Sequence, residues 1–281
     1  MTEPAKVTAC IVTWNGADLL ERLLKSLREV KFSAFHILVV DNASTDGTVE
    51  MLRKHFPEVE LARLERNIGY SAAINEGINR ARAKGADYVW IFNNDVEVEP
   101  DCLKELIAVM ERDPHVGVVG PLILDFATGA VAHAGYRIDM WTGRMKECKS
   151  PRDKSVYEVD SAFGCSNLVR MAVIDRIGGF DPHFNVYFDE TDFNVRARKA
   201  GWKVVVAPSA RARHEESATM NKFLSRKALL LLRNLIKFEW KNATGAQLMV
   251  FFPYFLLIHL PTFFIKGLWY YFELRREARR A

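Results

Sequence analysis

Along the first part of the chain, short apolar runs alternate with stretches in which leucines return at helical spacing. Residues 7–12 are continuously apolar, as expected of a strand covered on both faces. Leu19, Leu20, Leu23, Leu24 and Leu27 then recur every one to four positions, which predicts an amphipathic helix. The same reading predicts strands over 35–40, 59–64, 88–92 and 116–119. Helices are expected from Thr48, with Asp46 as its cap, over 71–83, and over 101–110 with Pro100 at its start. Apolar strands separated by helices imply an α/β fold, doubly wound around a mostly parallel central sheet.

Beyond about residue 120 the alternation lapses. Residues 130–138, 156–163 and 202–207 read as strands, and 172–177 and 191–200 as helices, a mixed half suited to an acceptor site. Residues 221–241 read as one helix, with Leu224, Ala228, Leu231, Leu232, Leu235 and Phe238 on a face. This divides the chain into a domain over 1–220 and a helical appendage over 221–281. Residues 243–265 carry no charge and approach the ~20 apolar residues that span a bilayer. Pro253, His259 and Pro261 interrupt that stretch, while Lys237 and Lys241 precede it and Arg275, Arg276, Arg279 and Arg280 follow it. Trp269, Tyr270 and Tyr271 suit the headgroup level. A peripheral or monotopic anchor at the cytoplasmic membrane face is expected, the alternative being a kinked helical hairpin packed on the protein or on a second subunit as a homodimer.

The 281 residues suffice for one large domain plus an appendage, and 49% hydrophobic content supports a packed core. A net charge of +4 without a long basic run in the α/β part excludes nucleic acid as the partner. Cys10, Cys102, Cys148 and Cys165 are far apart and show neither disulfide nor thiolate-metal spacing. With no signal-peptide pattern at the start, a reducing cytoplasmic compartment is expected.

The chemistry is concentrated at predicted strand ends. Trp90-Ile91-Phe92 runs into Asn93-Asn94-Asp95, and a carboxylate there sits where open α/β sheets bind ligands. Asp95 is a candidate ligand for Mg²⁺ or Mn²⁺ arriving with a substrate's phosphates. Thr13-Trp14-Asn15 and Asp41 to Gly47 end the first two strands on the same edge, with Asp41 and Thr13 candidates for a nucleoside. Asn67 and Gly69 precede a helix start suited to an anion, and Asn75 is a candidate to hold the Asp95 loop. Neither GxGxxG nor a P-loop is present, so dinucleotide binding and a P-loop nucleotide site are disfavoured.

Taken in order, TWN at 13–15, VVDNASTDGT at 39–48, RNIGYSAAINEG at 66–77, FNNDVEV at 92–98, GGFD at 178–181 and FDETDFNVRARKAGW at 188–202 resemble the inverting glycosyltransferases of family 2, of GT-A fold. His133-Ala134-Gly135 is similar to the rhamnosyltransferase-like branch. The resemblance implies a glycosyltransferase moving a sugar from a nucleotide-diphosphate donor to a hydroxyl of a lipid-linked or growing glycan. It implies Asp95 and His214 as metal ligands, although Asn93 and Asn94 stand where the family usually has Asp. It implies Glu190 as the base, Asp189 as its rival, and Asp192 as a helix cap through Arg198 or an acceptor contact. Thr13, Trp14, Asn15, Asp41, Ser44, Asn67, Gly69, Asn75, Asn94, Asp95 and Gly164 are the expected nucleotide-sugar contacts, with Asp160 and Ser166 nearby. The competing expectations are a noncatalytic membrane-tethered sugar-binding scaffold and a sugar-phosphate nucleotidyltransferase.

Overall fold

A computed structural model describes residues 5–32, 35–150, 155–215 and 224–263. Its main sheet is built on four parallel strands in the order β3-β2-β1-β4: β1 (Val7–Thr13), β2 (Phe35–Asp41), β3 (Glu60–Arg63) and β4 (Tyr88–Phe92). Every residue of β1 and β4 is buried, which explains their unbroken apolar runs. On one face α1 (Ala17–Arg28), α2 (Thr48–His55) and α4 (Cys102–Arg112) cover the sheet, with Leu20, Leu52 and Leu103 in a common core. On the other lie α3 (Tyr70–Ala83), α5 (Met171–Ile177) and α6 (Asp189–Lys199), contributing Ile74, Ile174 and Phe193. The small residues of α3 allow close approach: a Cβ on Gly77 would stand 2.0 Å from the buried Cys10 Sγ.

The second half of the sheet is mixed. It comprises β5 (Val96–Val98), β6 (Val116–Asp125), β7 (Val131–His133), β10 (Tyr157–Glu158), β11 (Ser166–Arg170) and β12 (Lys203–His214). Several boundaries depart from the pattern-based expectation. The expected strand over 130–138 is cut at Gly135, whose φ is +83°, into β7 and β8 (Tyr136–Asp139). Only Tyr157–Glu158 of 156–163 is strand. Instead β11 inserts antiparallel between β4 and β6, with the buried Ser166 Oγ accepting from Trp90 Nε1 at 3.1 Å. Ser166 is therefore a core residue and does not line a donor sugar. β12 runs past 207 to His214, and its register shift between Ala207 and Arg211 lets it pair with β5.

The described residues fall into two compact units, with Ile138–Met145 grouped with the C-terminal segment after residue 216 rather than with the sheet. That second unit holds the tip of the hairpin formed by β8 and β9 (Arg144–Glu147), then α7 (Leu224–Asn242) and α8 (Gly245–Tyr254). His259 Nε2 donates to Thr142 O at 2.7 Å, and a Cβ on Gly143 would stand 2.8 Å from Phe251. Leu235, Phe238 and Phe251 form its buried face. Leu224 and Ala228 carry side chains outside the described residues, as are 264–281 in full. The prolines do not break the terminal helix. Pro253 lies inside α8, and the chain continues through a π-helical turn, Phe255–His259, in which Leu260 N–H donates to Phe255 O. A Thr244–Gln247 capping box starts α8.

Candidate active site

The carboxyl ends of β1, β2 and β4 carry three loops bonded to one another. Asn94 Nδ2 donates to Thr13 Oγ1 at 3.1 Å, while a Cβ on Gly16 would lie 2.4 Å from Asn94 Nδ2. Asn15 N–H donates to Ser44 Oγ at 2.9 Å, and Thr45 N–H returns to Asn15 Oδ1 at 2.8 Å. Asn15 and Ala43 take positive φ to make this exchange. Asn42 reaches across to the loop after β3, where its Nδ2 donates to Asn67 Oδ1 and its Oδ1 accepts from Ile68 N–H. Trp14, in the loop after β1, is 56% exposed.

Several expected contacts prove to be internal to the protein. Asp41 is fully enclosed; its carboxylate accepts from Ser44 N–H at 3.2 Å and lies 3.7 Å from Arg63 Nε. It braces the turn from beneath rather than presenting an open acceptor. Asn75 holds the loop after α5, not the Asp95 loop: its Nδ2 donates to Phe180 O at 2.7 Å and its Oδ1 accepts from Phe180 N–H at 2.8 Å. Asp192 is buried and pairs with Arg196 at 2.7 Å, whereas Arg198 goes to Asp160. The i,i+4 spacing on α6 favours Arg196, because Arg198 projects from another face. Asp181 orders its loop, accepting from His183 N–H at 3.0 Å.

Asp95 and His214 meet through strand pairing. Val96 lies opposite His214, and Glu215 N–H donates to Asp95 O at 3.1 Å. Asp95 Oδ1 sits 3.3 Å from His214 Nε2. Both side chains are nearly buried, and neither Asp95 Oδ1 nor His214 Nδ1 has a hydrogen-bond partner. A nearly buried carboxylate oxygen that makes no hydrogen bond and faces the imidazole Nε2 fits a divalent cation. Among the described residues no third His, Cys, Asp or Glu joins them. The candidate set is thus two side chains, a number that would suit an ion shared with substrate phosphates.

The second chemical centre is the first turn of α6. The chain reaches it through Tyr187 and Phe188, both in the left-handed region. Burial pushes the Asp189 carboxyl well above the usual carboxylate range, and the adjoining Glu190 charge adds to this. Burial also raises Glu190, while the hydrogen bond from Asp189 and the helix-start N–H groups oppose that rise. Both carboxyls are thus raised, Asp189 the more strongly, an arrangement that favours one proton held between them.

Phe163 and Gly164 link the two centres, and the sequence reading passed over Phe163. Its ring stacks on His133 at 3.8 Å and meets His214 edge-on at 5.6 Å. Gly164 backs directly onto Glu190, for a Cβ there would stand 2.7 Å from Glu190 Cγ. His133 in turn contacts Glu147 at 2.8 Å and Tyr136 at 3.2 Å. The isolated His133-Ala134-Gly135 run was the only sequence signal for this aromatic wall.

Residues 8–178 match the family model described as glycosyl transferase family 2. The chain belongs to that family. This glycosyltransferase is 29% identical over 240 residues to the N-acetylglucosaminyl-diphospho-decaprenol L-rhamnosyltransferase of Mycobacterium tuberculosis, covering 77% of this chain and 78% of that protein. It is 24% identical to the dTDP-rhamnosyl transferase RfbF of Shigella flexneri, covering 75% and 69%. Among solved structures, the mannosyltransferase PcManGT from Pyrobaculum calidifontis in complex with GDP-Man and Mn²⁺ superposes with a TM-score of 0.63 at 21% identity. The glycosyltransferase spans 84% of its own length there and 64% of that chain, and 43% of the GalNAc-T7 chain at a TM-score of 0.62. These likenesses show the GT-A type of fold. Family membership sets aside the scaffold and nucleotidyltransferase readings.

Proposed function

We propose that this glycosyltransferase moves a 6-deoxyhexose, with L-rhamnose the first to test, from a nucleotide-diphosphate donor to a hydroxyl of a lipid-diphosphate-linked glycan, with inversion. The observation that carries this reading is the pair of centres joined by Phe163-Gly164: an oxygen–nitrogen pair fit for a cation, and an acid pair holding one anion. The rhamnosyltransferase relatives supply the sugar and acceptor classes.

Trp14, Asn15 and the loops at Ser44 and Asn67 offer the surface for the nucleoside. Asp95 and His214 would hold Mn²⁺ or Mg²⁺ beside the donor diphosphate. When bound, such an ion neutralises the charge that grows on the leaving diphosphate. Glu190 takes the proton of the acceptor hydroxyl as its oxygen bonds to the anomeric carbon. The bond from that carbon to the diphosphate breaks on the opposite side, and the electron pair leaves with the diphosphate. Asp189, already protonated, steadies Glu190 by donating to it.

We further propose that the C-terminal unit sits on the cytoplasmic membrane face. Helical residues Gly245–Phe263 are long and apolar enough to cross a membrane, yet only 11% of that stretch is buried. Met249, Leu256 and Leu257 are largely exposed on it. This would place the protein where a lipid-linked acceptor lies. The test is incubation with dTDP-L-rhamnose, Mn²⁺ and a polyprenyl-diphosphate-linked N-acetylglucosamine, following dTDP release and product mass. Transfer lost in Glu190→Gln supports the reading, and transfer retained in that variant overturns it.

A further inference from the structure

Beside the acid pair lies a small cavity of about 10 Å³, lined by Tyr70 of α3, Asn167 of β11 and Asp189, Glu190 and Asn194 of α6. Two polar atoms of its wall, Tyr70 Oη and Asn167 Oδ1, are buried and have no hydrogen-bond partner. Asn194 is already committed, its Nδ2 donating to Ser161 Oγ at 3.0 Å. Buried hydroxyl and amide oxygens in native proteins are satisfied by protein or by ordered water. A cavity of this size has room for about one water, and here it offers a hydroxyl, an amide oxygen and a carboxyl as partners.

We propose that the cavity is a single-water site, in which the water joins the Tyr70 hydroxyl and Asn167 Oδ1 to the Asp189 carboxyl and so fixes the proton shared with Glu190. Tyr70 is then a positioning residue: it acts through the water and Asp189 on the base. The inference rests on the reading of Glu190 as that base. The hydroxyl donates to the water and the water donates to the acid pair, which favours the form carrying one negative charge. The titratable groups facing Tyr70 are Asp189 and Glu190 from α6, Cys10 from β1 and Cys165 just before β11. Burial holds both thiols neutral, Cys10 being pushed up to about 12, so neither thiol places a charge beside the acid pair.

The experiment is a pH titration of the side-chain carboxyl ¹³C signals in the full chain, wild type against Tyr70→Phe. Asp189→Asn and Glu190→Gln assign the signals. The expected result is a rise of the pair's midpoint by about one unit in Tyr70→Phe, a tenfold smaller ionised fraction below the midpoint. An unmoved midpoint overturns the proposal, including the case in which Tm falls without it. A high-resolution crystal structure of the wild type is the second measurement: a water within hydrogen-bond distance of Tyr70 Oη and Asn167 Oδ1 supports the site, and an empty cavity overturns it. Neither readout uses turnover. If Glu190→Gln stays active, the reading of the base fails while the water site is still judged by its own measurements.

Discussion

Replacing Gly164 by alanine tests whether the placement of Glu190 controls the chemistry. The added Cβ would stand 2.7 Å from Glu190 Cγ, 2.9 Å from Cδ and 3.1 Å from Cβ. Ordinary contact begins near 3.4 Å, so Glu190 Cγ must retreat by at least the difference, about 0.7 Å. Gly164 is not in the left-handed region, so alanine meets no backbone strain. The whole perturbation falls on the carboxylate. A misplacement near 1 Å of a reacting group can cost about 10²-fold in rate. We expect kcat to fall by one to two powers of ten, roughly 10- to 100-fold, with KM for the donor within about twofold. The fold should survive, because a flexible side chain can yield; the stability loss should stay within about 1–3 kcal/mol. Steady-state dTDP release from dTDP-L-rhamnose at saturating Mn²⁺, with Tm measured alongside, gives both numbers. A kcat within twofold of wild type in a folded Gly164→Ala protein would refute the assignment of Glu190 as the reacting carboxylate.

Four further outcomes follow from the same geometry. Asp95→Ala and His214→Ala should each cut turnover by about 10²–10³-fold and weaken Mn²⁺ activation with little change in Tm, since Asp95 Oδ1 and His214 Nδ1 make no hydrogen bond; Mn²⁺ titrations of rate would show it, and undiminished activation would count against the cation site. The acid pair predicts a stability slope. Its folded-state values are raised above the ordinary 3.8 and 4.5, so above pH 4 the folded state holds protons that the unfolded state has lost. That contribution is complete below pH 3.8 and lost as pH rises through the folded values, so denaturant midpoints for wild type relative to Asp189→Asn should decline with pH, and a flat difference would contradict the raised values. Asn75→Ala removes two hydrogen bonds to the Phe180 backbone and should cost about 1–3 kcal/mol in denaturant melts. Removing residues 243–281 should release the protein from anionic vesicles in flotation assays; unchanged flotation would rule out the C-terminal anchor.

The first hundred residues were legible because β1 and β4 are dominated by buried apolar residues and α1 repeats a leucine stripe. The mixed half was harder. β11 is short and carries Ser166 and Asn167 inward, so it lacks the apolar run by which the others were found, although it lies at the centre of the sheet. Gly135 and the prolines of the terminal helix were equally ambiguous, one splitting a strand and the others leaving a helix intact. Asp41 and Asn75 had the right chemistry for ligand contacts, but only their partners showed them to be turned inward.

By itself the sequence determined the α/β alternation, the family and the oxygen-rich strand ends, since these depend on residue type and near-neighbour spacing. Only the tertiary structure decided what stands beside what. Asp95 and His214 lie 119 positions apart and meet because β5 pairs with the far end of β12 after its register shift. The raised carboxyl pair of Asp189 and Glu190 is likewise beyond any motif. It follows from burial, from the charge of each on the other, and from the close backing of Gly164, and these exist only once the chain has packed.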